Sequence, residues 1–398
     1  MAQVNAEPVG GPILTKGYKL LLAFLGVWLI ILAWRFAAGI GAVSGLTDGY
    51  PWGIWIAFDV VTGTALACGG YAVAILAYIL NKGKYHAVIR PAILTSALGY
   101  TMAAIAIIID VGRPWWIWRI PIGGYPNTGF NWDSALLEVA LCVMAYVLVL
   151  WIELSPAFLE KWKVTSSKES VRRWSETGLR VFDKILIFVV ALGLLLPTMH
   201  QSSLGTVMLL AGHKLNALWH TGWIPLLFLV SCVGMGYAVV VWESAISSRL
   251  FKRPRHTEML TLLSGAVVIT LVLFLVIRFG DLLLSGKIGL TFTSGWLSIL
   301  FWVETALFAV PIFMLASKGR RSFPTMLQAS ILIMLAGSLY RFDAYIVAYN
   351  PGPNWNYFPS LPELLITLGV IGLEIALYVF IVKRYPILAG SQSAQSAH

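Results

Sequence analysis

Ten apolar stretches alternate with short polar punctuation along the chain, at approximately 18–38, 52–80, 90–111, 132–154, 182–200, 222–247, 258–280, 295–316, 324–349 and 361–385. Each approaches or exceeds the ~20 residues that a helix needs to cross a ~30 Å hydrocarbon layer. Gly and Pro mark the boundaries, as in YPWG from Tyr50, RPWW from Arg113 and NPGPNW from Asn350. The pattern predicts an all-α polytopic membrane protein with about ten transmembrane helices. The fifth stretch is the least regular: it closes in PTMHQSSLG, and the apolar patch up to Ala211 is expected to re-enter the membrane. The N-terminus lacks the charged segment and cleavage site of a signal peptide, so the first stretch is expected to remain as a helix. Composition agrees, with 59% hydrophobic residues, 12% charged residues and a mean hydropathy of +0.81. These values exclude a set of soluble domains of the same length.

Charge sets the expected orientation. An even number of spans puts both termini on one side, and that side receives 21 of the 28 Lys and Arg residues. The positive-inside rule then makes the termini cytoplasmic, and an inner (cytoplasmic) membrane is the expected location. The net charge of +10 is accounted for by these loops and calls for no nucleic acid. Opposite loops, at 112–131, 201–221, 281–294 and 350–360, are rich in Trp, Tyr, Pro, Gly and Asn and poor in charge. Interfacial aromatic belts and a docking surface for another protein both fit that composition.

Ionisable residues inside spans are costly and mark function or pairing. Asp59, Asp110, Glu138, His200, Arg278, Asp281, Glu304, Arg341, Asp343 and Glu363 all fall in the outer half of their spans, and Glu374 approaches the middle. Spacing predicts pairs of Asp110 with Arg113 and of Arg278 with Asp281, each at i and i+3. Arg341 and Asp343 are expected to pair with neighbours, and Glu153, Asp183 and Glu243 to form boundary salt bridges. The inner half shows no clear chain of acids. Asp59, Glu138 and His200 have no basic neighbour within a helical turn and are the candidates for chemistry. The Asp110/Glu138 and Arg278/Glu304 spacings echo one another. They divide the chain into 1–51 with helix 1, a four-helix bundle at 52–221 (helices 2–5), a second at 222–360 (helices 6–9), and 361–398 with helix 10.

Cys68, Cys142 and Cys232 stand singly in apolar stretches, which supports neither a disulfide framework nor an iron–sulfur cluster. None of the six histidines is central in a predicted span, so a bis-histidine haem is not expected, although methionine ligation stays open. No metal site, nucleotide loop or zinc motif is recognisable. Protonatable side chains beneath aromatic walls suit a lipid-soluble quinone, and equally a proton-coupled transporter.

The runs GYPWGIWIAFDVVTGTALACGG (49–70), KYHAVIRPAIL (84–94), IIIDVGRPWW (107–116), LLPTMHQSSLG (195–205) and YNPGPNWNYFPSLPELLITLGVIGLEIALY (349–378) resemble the NrfD-like polysulfide reductase membrane subunits, above all those of the [NiFe] hydrogenase-2 type. The resemblance implies a quinone-reactive anchor, not catalytic alone, with no haem or iron–sulfur cluster of its own. It further implies a periplasmic ferredoxin-like iron–sulfur subunit on the outer face, electrons arriving from the small and large subunits of a [NiFe] hydrogenase, and menaquinone as substrate. The family's acid and histidine positions map onto Asp59, Asp110 and His200; depth alone adds Glu138. His200 and Asp59 are expected to serve the quinone oxygens, with Glu138 as a relay and Asp110 and Arg113 at the pocket mouth. Thr62, Thr64 and Ser96 are expected to order water toward the cytoplasm, and proton translocation is a further expectation. A passive anchor of another NrfD-type complex and a proton-coupled transporter remain the alternatives.

Overall fold

A computed structural model describes residues 6–79, 86–123, 129–252, 257–316 and 322–390. The helices are numbered by span: α1 (Lys16–Ala38), α2 (Trp55–Ala77), α3 (His86–Asp110), α4 (Ala135–Thr165), α5 (Glu169–Leu210), α6 (Ile224–Leu250), α7 (Thr257–Leu284), α8 (Trp296–Leu315), α9 (Phe323–Phe342) and α10 (Leu361–Arg384). Among the described residues nine helices are long and apolar enough to cross a membrane. Helix α5 is not among those nine, although its stretch from Ile185 to Leu210 carries no Asp, Glu, Lys or Arg. The chain is an all-α multi-pass membrane protein.

Local chemistry sets several helix starts. Thr15 and Ser134 accept from the Tyr18 and Leu137 amides at 3.3 Å, satisfying N–H groups that the first turns of α1 and α4 leave unpaired. Ser360 and Glu363 form a reciprocal capping box at α10, with Pro362 in the first turn. The expectation for the fifth stretch is corrected: Pro197 is absorbed within α5, and the helix runs on to Leu210 without re-entering. Proline removes one amide donor but does not stop a helix that neighbouring helices hold on its sides.

A two-residue strand pair, β1 (Ala6–Glu7) and β2 (Leu388–Ala389), ties the N-terminal segment to the end of α10. The Val9 amide extends the link, donating to the Val382 carbonyl at 2.9 Å. Both ends of the described chain therefore lie on one face, called here the terminus face.

Consecutive helices pack together from α2 to α5 and from α6 to α9. Helix α9 returns to α6 and also meets α2, while α1 packs on α10, and α10 on α2 and α3. The most enclosed members are α2 and α6, each with 78% of its apolar window buried. They approach closely because Gly236 of α6 lies against the Cys68 carbonyl of α2, where a Cβ would clash. Gly369 of α10 likewise receives the Trp28 indole of α1, whose Nε1 donates to the Ile366 carbonyl at 3.1 Å. The α-helical hydrogen-bond pattern gives way in three π-helical stretches, Trp55–Thr62, Ile75–Ile79 and Asp343–Val347. Wide turns of this kind are frequent at functional sites, and the first of them carries Asp59.

Candidate functional site

His200 is the hub of a polar cluster buried where α2, α3, α5, α6 and α9 meet. It lies ten residues before Leu210, hence about 15 Å below the face opposite the termini. Because α5 does not stop at residue 200, His200 does not close a helix as expected but is enclosed by its neighbours, with 0% exposure. Its Nε2 meets Thr64 Oγ1 of α2 at 3.1 Å. That hydroxyl donates to the Val60 carbonyl at 2.6 Å and accepts from Gln201 Nε2 at 3.1 Å. With its only proton committed, Thr64 must receive the Nε2 proton of His200. Among the described residues Nδ1 has no side-chain partner, and the Val139 backbone of α4 stands against the ring.

Around this pair the cluster is continuous. Gln201 Oε1 accepts from Arg341 of α9 at 3.2 Å. Arg341 also donates to Ser231 Oγ at 3.0 Å, to the Phe228 carbonyl at 2.8 Å, to the Gly337 carbonyl at 3.3 Å and to Met235 Sδ at 3.4 Å. None of these partners is a carboxylate, and Nε remains unfilled, so a fully buried cation rests on neutral oxygens. On the other side Tyr100 of α3 meets the His200 ring edge-on at 5.5 Å and Tyr146 of α4 at 4.5 Å. The Tyr100 hydroxyl lies 3.6 Å from Cys68 Sγ, which is 3.2 Å from the Thr64 carbonyl. The arrangement sets the imidazole nitrogen that has no side-chain partner near a fixed positive charge.

Asp59 belongs to a different face of α2. Its Oδ2 accepts from Thr367 Oγ1 of α10 at 2.9 Å, and no hydrogen bond joins it to His200. Glu374 of α10 is close enough to Asp59 and to Glu243 of α6 to act on the charge of each. Glu243 accepts from the Tyr378 hydroxyl at 2.5 Å. Counted from the opposite face, Glu374 lies thirteen residues and Glu243 nineteen residues into its helix, or about 20 and 28 Å. Two expectations are thereby corrected: two buried acids, Glu374 and Glu243, lie beyond the middle within electrostatic reach of each other, and Glu243 bonds to a tyrosine instead of forming a boundary salt bridge.

Asp110 ends α3 beside Arg35 of α1, not beside Arg113. Arg35, 1% exposed, donates from Nε to the Ile109 carbonyl at 2.8 Å and from Nη2 to the Val111 carbonyl at 2.7 Å, bracketing Asp110. Arg113 is exposed and turns away at φ −128°, since the helix has already ended when the chain reaches it. Glu363 is fully used by the Gly45 and Ser360 amides and the Tyr357 hydroxyl, at 2.7, 2.8 and 3.0 Å. Burial, with this carboxylate beside it, pushes the Tyr357 phenol above its ordinary range and keeps it a donor. Glu138 is half-buried in the first turn of α4, where a helix N-terminus favours a carboxylate, and it joins neither Asp59 nor His200.

A second cluster occupies the later helices. Arg278 of α7 pairs with Glu304 of α8, not with Asp281, and Trp219 Nε1 donates to the other Glu304 oxygen at 3.0 Å. Asp343 lies beside this pair. Of the residues that complete the His200 cluster, Thr64 is legible in the sequence as a polar position in a span, whereas Gln201, Tyr100 and Arg341 gain their significance only from the packing.

The profile of the family "Polysulphide reductase, NrfD" matches residues 42–350. The chain is 36% identical to the "Probable Ni/Fe-hydrogenase 2 b-type cytochrome subunit" of Escherichia coli K12, over 96% of this chain and 95% of that protein. It is 28% identical to the "Menaquinone reductase, integral membrane subunit" of Nitratidesulfovibrio vulgaris Hildenborough, over 87% and 86% of the two chains. On the profile match and the full-length similarity, the protein belongs to the NrfD family of membrane subunits.

Proposed function

We propose that this chain is the quinone-reactive membrane subunit of a respiratory oxidoreductase of the [NiFe] hydrogenase-2 type, taking electrons from a docked iron–sulfur subunit and passing them to menaquinone beside His200. The observation that carries this reading is a buried histidine whose Nδ1 has no side-chain partner among the described residues, set beside Arg341 and edged by Tyr100. The names of the hydrogenase and menaquinone reductase relatives support it. In this reading the basic loops place the terminus face in the cytoplasm and the aromatic loops face the periplasmic partner subunits.

Reduction of a quinone takes up two electrons and two protons, and the chain's own residues handle the protons. His200 Nδ1, once protonated, donates one of the two protons to a quinone oxygen as the electrons arrive and is then reprotonated, the other proton comes from the acids on the cytoplasmic side, and Thr64 holds the imidazole in place through Nε2. Arg341 opposes the negative charge that develops on the reduced ring. Asp59, Glu374 and Glu243 form the supply from the cytoplasmic face, so that protons and electrons enter from opposite sides and the step translocates charge. Asp110 and Arg35 shape the rim. Arg113 stands outside it, and Glu138 takes no part in the transfer.

The name of the hydrogenase relative includes a b-type cytochrome, and the described histidines do not fit a bis-histidine haem. His200 is closed in by Thr64 and Tyr100, whereas His213 and His220 lie between α5 and α6, the latter bonded to the Leu209 carbonyl at 3.2 Å. No step here runs through haem. Purification of the intact complex tests the reading: iron, nickel and extractable menaquinone are expected together, without a Soret band. A chain that purifies alone and carries no quinone would favour a transporter.

A further inference from the structure

A cavity of about 210 Å³ lies between α3, α4 and the 3-10 segment Pro114–Ile122 that follows α3. Ala104 and Ile107 of α3 form one wall, Ala140 and Val143 of α4 the other, and Trp118 and Pro121 the roof. All six are apolar. At this volume it is smaller than the ~300 Å³ at which pockets for whole drug-sized ligands begin, so it suits part of a molecule. It lies about one helical turn from the His200 cluster: Ala104 is four residues from Tyr100, and Val143 four residues from Val139, which flanks His200. Its outer end opens between Ile108 and Met144, exposed at 37% and 38% on the apolar flank of the protein.

The roof is itself an interfacial structure. Trp115 and Trp118 are exposed, and Arg119 lies over the Trp116 ring at 3.5 Å, fixing the segment along the helix ends. Tryptophans of this kind settle at the boundary between headgroups and hydrocarbon. The cavity therefore opens to the lipid just beneath that boundary, with the polar cluster one helical turn away.

We propose that this cavity binds the first isoprene units of the quinone's side chain, and that the gap between α3 and α4 is where the chain leaves for the bilayer. The inference rests on the quinone reading above and names the part of the ligand that this second pocket takes. Two probes separate them: menadione, which is the ring alone, and menaquinone-4, which carries four isoprene units. Equilibrium binding to the full-length protein is measured for wild type, Ala140→Trp and Ala104→Leu, the last being the milder filling in case the indole disturbs folding. Filling the cavity is expected to weaken menaquinone-4 binding at least tenfold and to leave menadione within twofold. Equal effects on both probes, or none on either, would overturn the tail site while leaving the quinone reading intact. Wild-type protein that binds neither probe would remove the quinone reading and the tail site with it.

Discussion

Replacing His200 by alanine is expected to cut quinol formation by the intact complex about 100-fold or more, the usual scale for losing a positioned acid–base group. The fold should survive, because Thr64 keeps its bonds to Val60 and Gln201 when the imidazole is gone. His200→Gln sharpens the test. Glutamine can still donate to Thr64 but carries no nitrogen that changes protonation near neutral pH, so it should lose as much activity as alanine while packing better. Quinol formation from menadione is measured by absorbance, with subunit recovery as the control for assembly. Activity within threefold of wild type in either variant would make the cluster a structural one and favour the passive-anchor reading.

Glu304→Gln should produce the largest loss of stability. Arg278 is 4% exposed and Glu304 0%, and the guanidinium sits among Phe301 and Tyr340 at 4.6 and 5.0 Å from their centroids. Removing the carboxylate leaves a desolvated cation without its partner, which costs about 3–5 kcal/mol. Asp343, next to the pair, can take part of that charge, so the single variant is expected near ~3 kcal/mol and Glu304→Gln with Asp343→Asn near ~5 kcal/mol. Thermal unfolding in detergent reads both. The exposed pair Arg173–Glu169, with side chains 77% and 65% accessible, is the contrast. Screened by solvent, it contributes less than ~0.5 kcal/mol, and Glu169→Gln should leave the transition in place.

The helices and caps were legible because they depend on local spacing. Apolar stretches long enough to cross the bilayer mark the spans, and the Ser360–Glu363 capping box follows the same local logic, a serine three residues before a glutamate. Pair assignments were less legible, since sequence spacing presents only neighbours on the same helix. Arg113 is three residues from Asp110, yet α3 ends at Asp110 and Arg35 arrives from α1 to bond the flanking carbonyls. Asp281 is three residues from Arg278, yet Glu304 faces it across the helix interface. The depths of Asp59, Glu374 and Glu243 were readable by counting, while their adjacency across α2, α10 and α6 depends on helix rotation. Pro197 misled for a related reason: it interrupts one hydrogen bond, and tertiary packing carries α5 through. The π-helical turn at Asp59 has no recognisable sequence signal, although it helps decide which helix the carboxylate faces.

The central claim is that the quinone ring sits at His200, and photoaffinity labelling addresses it most directly. The intact complex is illuminated with an azido-substituted naphthoquinone, and labelled residues are mapped by mass spectrometry, with and without excess menadione. Labels are expected on α3, α4 and α5 around Tyr100, Val139 and His200, and excess menadione should suppress them. Labelling confined to the Arg278–Glu304 cluster or to a partner subunit, with the His200 region unmarked, would contradict the account.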